Sequence, residues 1–190
     1  MRAPLIPILA LALAGGLGCG DDDSPERPTE AADRPAAPPP GWRTVRNVTA
    51  GFTIAVPRSW TAATKRAATL IRSKDELVAV TVAADRSPAG KETDPARYAR
   101  SVISALPGFE GAISVNDVKI AGSPYRTGIA AGSGTVKTSG VAQRIEVAAF
   151  HRPREVTYSA VIFRNAQARP VPGRRTVARM LRTFRAQRPG

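Results

Sequence analysis

The chain is short of nearly everything that covalent or redox chemistry uses. Its 190 residues include one cysteine and one histidine, which excludes an intramolecular disulfide and any zinc site built from several Cys and His ligands. Aromatic residues are 5% of the sequence, against 43% hydrophobic residues in all. A core is therefore affordable in composition, but it must be mostly Val, Ile, Leu and Ala. Acidic residues number 15 against 28 basic ones. Beyond residue 40 the carboxylates are scattered, with Asp75-Glu76 adjacent in a turn, and their spacing fits neither a paired general acid and base nor a calcium loop. No Gly-x-Ser-x-Gly elbow occurs, and Gly132-Ser133-Gly134 reads as a loop. Glycines are frequent but form no phosphate-cradling motif, so no cofactor is implied. No apolar run approaches the roughly 20 residues that a membrane-spanning helix needs.

What is present begins at the amino terminus. Met1-Arg2 is a short positive start, Leu5 to Leu13 is apolar, and Ala14-Gly15-Gly16-Leu17-Gly18 is built of small residues and one Leu. This is the layout of a secretory signal peptide over residues 1–18. Pro4, Pro7 and the adjacent glycines oppose a buried helix there. Leu17-Gly18-Cys19 resembles a bacterial lipobox, with the usual order of leucine and small residue exchanged at Gly16 and Leu17. The resemblance implies cleavage between Gly18 and Cys19 and a diacylglyceryl group on the Cys19 sulfur. The chain would then be a lipoprotein at the outer face of the bacterial cytoplasmic membrane, where two acyl chains anchor stably and one does so marginally. The alternative is a soluble secreted protein cut near Gly18.

Residues 19–40 read as a tether. Ser24 to Pro40 hold six prolines and no apolar residue larger than Ala, so the segment cannot bury enough surface to offset its ordering entropy. Extended at about 3.1 Å per residue, it reaches on the order of 60 Å. Asp21-Asp22-Asp23 fits a solvated spacer better than a cation site. A single domain over 41–186 follows, with 187–190 as a tail. The tether carries six acidic and two basic residues, net −4, whereas residues 41–190 carry nine acidic and 25 basic ones, net +16. Such an excess bears on anionic partners, not on fold.

Within the domain, Phe52, Ile54 and Val56 alternate as in a half-buried strand that Pro57 ends. Further strands are expected at 67–73 and 77–84, joined by the turn Lys74-Asp75-Glu76. Asp94-Pro95 starts a helix over 95–106, with Tyr98, Val102 and Leu106 at helical spacing and Pro107-Gly108 as the stop. Strands follow at about 114–121, 125–133, 140–151 and 155–164. Gly122-Ser123-Pro124 and His151-Arg152-Pro153-Arg154 have the composition of hairpin turns. A basic amphipathic helix closes the domain over 173–185, with Val177, Met180, Leu181 and Phe184 as its apolar stripe. The order and the short links predict an α+β fold, a mainly antiparallel sheet with two helices packed on it.

These landmarks resemble the PsbP-like group of α/β/α sandwich domains, which includes many small bacterial lipoproteins of the LpqN type. The match lies in Gly51-Phe52-Thr53-Ile54-Ala55-Val56-Pro57 with Ser59-Trp60, in Gly122-Ser123-Pro124 and in Leu181-Arg182-Thr183-Phe184. The resemblance implies that Phe52, Pro57, Trp60 and Phe184 are fold markers, with Trp60 at the end of the sheet and Phe184 packed beneath it. It also implies a binding or assembly role more than an enzymatic one.

Three readings of function stand at this point. The first is a non-enzymatic, membrane-anchored accessory module that binds an envelope protein or a small apolar ligand. The second is a cationic module docking on anionic lipid or wall polymer, for which Arg174, Arg175, Arg179, Arg182 and Arg185, lying mostly off the apolar stripe, are the candidate contacts. Against it, the arginines are spread along every segment and form no cluster in sequence. The third, an enzyme, would need a buried pocket and a perturbed ionisable group around His151, which reads as an exposed turn residue. Nucleic acid is a poor partner for an exported chain with few aromatics and no recognition motif. Asn47-Val48-Thr49 fits a glycosylation acceptor, a pattern without consequence on a bacterial export route.

Overall fold

The computed structural model describes residues 37–116, 120, 123–136, 141–152 and 154–187. The signal segment, Gly18, Cys19, the spacer up to residue 36, Gly122, Pro153 and residues 188–190 lie outside the described residues.

The domain opens with a hairpin of β1 (Trp42–Asn47) and β2 (Phe52–Pro57). Asn47 makes its turn: its side-chain oxygen accepts from the Ala50 N–H at 2.9 Å, and Gly51 takes φ +73°, a conformation that glycine adopts without steric cost. Next come β3 (Thr61–Lys65), β4 (Ala68–Arg72) and β5 (Val78–Asp85), then α1 (Pro88–Glu92) and α2 (Pro95–Ser104). The Asp94 carboxylate caps α2 by accepting from the N–H groups of Ala96 and Arg97. The chain continues through β6 (Phe109–Asn116), β7 (Arg126–Val136), β8 (Val141–Arg152), β9 (Val156–Asn165), α3 (Arg174–Arg182) and the two-residue β10 (Arg185–Ala186).

Among the described residues all strand pairing is antiparallel, in two sheets. The large one runs β3-β4-β5-β9-β8-β7-β6, and the small one β1-β2-β10. The architecture is α+β and mainly antiparallel, as the sequence predicts. Among the described residues two sheets replace the single one expected, and three helices, one of them short, replace two.

Side chains alternate across the large sheet, so each face has its own core. On one face Val80, Val82, Phe150, Tyr158, Ala160 and Ile162 meet the small sheet and α3 through Phe52, Ile54, Val177, Met180 and Phe184. On the other, Ala130, Ile145, Val147, Ala149 and Val161 meet Tyr98, Ala99 and Ile103 of α2. The helix lies so close that a Cβ on Gly128 would overlap the backbone of Pro95 and Ala96. Glycine there is a packing requirement.

Two strands, β1 and β3, escape the sequence reading, β6 and the last helix have other bounds, and Gly132-Ser133-Gly134, read as a loop, lies within β7. β1 shows little apolar alternation because Arg43, Val45 and Asn47 share its inward register. β3 is an edge strand with four of its five residues exposed, held to β4 by the backbone ladder and one side-chain bond between the Thr64 and Thr69 hydroxyls. β6 begins at 109 and not at 114: its first residue, Phe109, pairs with Val136, and Ile120 is buried outside any strand. The last helix stops at Arg182, not 185. The Thr183 hydroxyl donates to the Met180 carbonyl and accepts from the Ala55 N–H, which turns the chain into β10.

Candidate functional site

His151 is a strand residue, not an exposed turn residue. It lies in β8 with 4% exposure, because β8 and β9 pair through Arg152 and Val156 and push the turn one residue further on. Its Nδ1 is 2.8 Å from the Thr157 hydroxyl, which donates to the Gly90 carbonyl of α1. That hydroxyl has one proton, already given to Gly90, so the ring nitrogen donates to it. Burial, and then the Arg126 guanidinium, lower the His151 pKa, while the Asp94 carboxylate pulls it up. The line of bonds ties α1 to the sheet. A second tie on this face joins α2 to β5: the Tyr98 hydroxyl donates to Asp85 at 3.0 Å, and burial, then Asp85, push its pKa upward. Among the described residues no three His, Cys, Asp or Glu side chains come together as a metal site.

The fold markers sit in the opposite core. Phe184 stacks on Phe150 at 4.5 Å between centroids and also meets Phe52, Tyr125 and Tyr158. Five of the ten aromatic side chains thus form one cluster, and Tyr158 pins it to the small sheet by donating to the Gly51 carbonyl at 2.9 Å. Pro57 ends β2, half-buried, and accepts from the Trp60 N–H. Trp60 is buried near Gly173, the residue before α3. The buried Asn47 bonds across to Thr69 of the large sheet, so its amide is structural.

The outer side of the small sheet carries a different chemistry. Register places Trp42, Thr44 and Arg46 of β1 beside Thr53 and Ala55 of β2, with Arg185 of β10 next to Thr53. A shallow depression of about 120 Å³ opens here, lined by Thr44, Thr53, Ala55, Arg182 and Arg185 and by Ala37 to Pro39. Arg179 lies over the Trp42 ring at 5.2 Å, a cation–π contact. Of the five arginines picked from the sequence, the fold brings Arg179, Arg182 and Arg185 to this face. Arg174 and Arg175 are exposed at the far end of α3, about 12 Å along its axis from Arg182. Arg46 and Trp42 join the group from β1, a strand whose weak alternation hid them.

No family model matches the chain, and no curated protein matches it. Its fold is similar to that of a Bacteroides thetaiotaomicron VPI-5482 protein of known crystal structure, at 11% identity and a TM-score of 0.54 over 77% of this chain. The chain spans about half of that protein, 49% of its length. A slighter likeness, with a TM-score of 0.36 and 16% identity, covers 59% of this chain and 68% of LpqN, described as involved in cell envelope biogenesis of Mycobacterium tuberculosis. What the first likeness shows is the fold alone.

Proposed function

We propose that the chain is an exported lipoprotein, held by Cys19 at the outer face of the bacterial cytoplasmic membrane, whose PsbP-like α+β domain serves as a non-enzymatic binding or accessory module. The observation that carries this reading is the amino-terminal order: a signal-like segment, the sole cysteine at its end, and a proline-rich spacer leading into the domain. A lone cysteine in an exported chain calls for a use, and lipid attachment supplies one. The depression of about 120 Å³ is well below the roughly 300–1,000 Å³ of small-molecule sites. A surface partner suits it better than an enclosed ligand. The polar groups around His151 are committed to holding α1, which supports a structural part for them over a catalytic one.

The test is the intact mass and membrane partitioning of the protein from its native host, beside a Cys19→Ser variant. The reading requires a wild-type chain that starts at Cys19, bears a diacylglyceryl-sized addition and sediments with membranes, while the variant does not. An unmodified, soluble wild type refutes it.

A further inference from the structure

The charges of the domain are sorted by layer. Residues 41–60 and 173–187, which build β1, β2, α3 and β10, contain eight arginines and no Asp or Glu. Every described carboxylate lies between Asp75 and Glu155, in the large sheet, its turns and the helices on its other face. The first and last segments of the domain each look like ordinary basic sequence, and folding stacks them into one acid-free layer. The ion pairs Arg126–Asp94, Arg152–Glu155 and Arg164–Glu146 all lie outside that layer. Among the described residues no carboxylate pairs with Arg46, Arg179, Arg182 or Arg185; Arg185 donates to the carbonyls of Arg182 and Phe184, and Arg179 lies over the Trp42 ring.

We infer that the outer side of this layer, centred on Arg46, Arg179, Arg182 and Arg185, docks on an anionic bilayer surface. Three observations converge on that partner. The guanidinium groups are concentrated without carboxylates between them, which suits lipid phosphates and raises attraction near a negative surface. Apolar groups stand among the charges: Trp42, half-buried and packed against the core, lies under Arg179, and Val48, at the tip of the β1–β2 hairpin, is 59% exposed. Tryptophan beside arginine fits the headgroup level of a membrane, whereas a soluble polyanion needs charge alone. Finally, the spacer enters the domain at Ala37–Pro39, which line the same depression as Arg182 and Arg185. This last point rests on the anchor reading above. A lipid on Cys19 would tether the domain from the side that carries the arginines, at high effective concentration.

The experiment uses the full-length chain carrying Cys19→Ser, so that no lipid anchor contributes. It is mixed with phosphatidylcholine vesicles with or without phosphatidylglycerol, and the bound fraction is read by co-sedimentation. Binding should require phosphatidylglycerol and fall as ionic strength rises. Adding Arg46→Glu with Arg182→Glu should weaken it about 25-fold or more, at about fivefold per arginine near the surface. Adding Arg97→Glu with Arg100→Glu makes the same change in net charge on the exposed side of α2, and should weaken it less than about threefold, because screening confines each charge to within about 8 Å. Equal losses from the two pairs, or no dependence on phosphatidylglycerol, overturn the inference. Binding to soluble polyphosphate without binding to vesicles overturns it in favour of a polymer. Should the first pair unfold the chain, the salt titration of the Cys19→Ser chain decides, and vesicle binding that survives high salt is the refuting result. The mass measurement on wild type stands apart from all of these, so failure of the anchor and failure of the face are read separately.

Discussion

The two faces of the large sheet are covered by different means. One is closed by aromatic rings: Phe52, Phe150, Tyr158 and Phe184 lie between the large sheet and the layer made from both ends of the domain. The other is closed by small aliphatic side chains under α2, and its helices are fixed by polar ties, Tyr98 to Asp85 and His151 through Thr157 to Gly90. The difference teaches how a sequence poor in aromatics uses them. Large rings fill the core where a second sheet must be held. Ala and Val, with Gly128, allow a helix to approach the backbone itself. The ring-bound side carries the acid-free surface, and the tied side carries the acid-bearing segments that flank α2.

The sharpest way to break the contrast is Phe184→Ala. It should cost about 3–5 kcal/mol of unfolding free energy, the usual range for a buried Phe truncated in a packed core, measured by denaturant titration. A cost below about 1 kcal/mol would mean that the small sheet is not held by rings. On the opposite face, Gly128→Ala should cost about 1–3 kcal/mol, because the added methyl forces α2 off β7. A neutral result would show that the helix has room to move. The ties should reveal themselves in pH. Since His151 is held below its ordinary pKa when folded, the unfolded chain binds the proton first. The stability it contributes is whole above about pH 6.5 and declines as pH falls toward the folded value. His151→Gln should flatten that part of the stability–pH curve; an unchanged slope would remove His151 from the account. The smallest effect concerns α3, whose first turn holds Arg174 and Arg175 with no side-chain cap on Gly173. Arg175→Glu should stabilise the domain by roughly 0.3–1 kcal/mol through the helix dipole, read as a small rise in thermal midpoint.

Much of this fold is legible in the sequence where one residue type repeats with one period. Phe52, Ile54 and Val56 announce β2, and Asp94-Pro95 with Tyr98 and Val102 announces α2. The segments that escape do so because their partners are distant in sequence. β1 turns Arg43 and Asn47 inward, since one donates to the Trp60 carbonyl and the other bonds to Thr69. β3 buries almost nothing. β10 exists only because β2 offers Thr53 and Phe52 as partners. The candidate face is half legible for the same reason. Arg179, Arg182 and Arg185 stand out on a basic helix, but Arg46 joins them only through the register of a strand that shows little pattern of its own. The scarcity of acid in both terminal segments is visible in the sequence, and its meaning depends on knowing that the two segments stack.

That stacking sets an order of events for each newly made molecule. The Ala55 N–H finds its acceptor on Thr183, 128 residues later, and Phe52 packs on Phe184 across a similar interval. The hairpin that begins the domain is synthesised first and must wait for the final elements before its inner side is covered. Until residue 186 is available the rings of Phe52, Phe150 and Tyr158 have no lid, and any chain stopped short of α3 keeps them open to the first hydrophobic surface it meets.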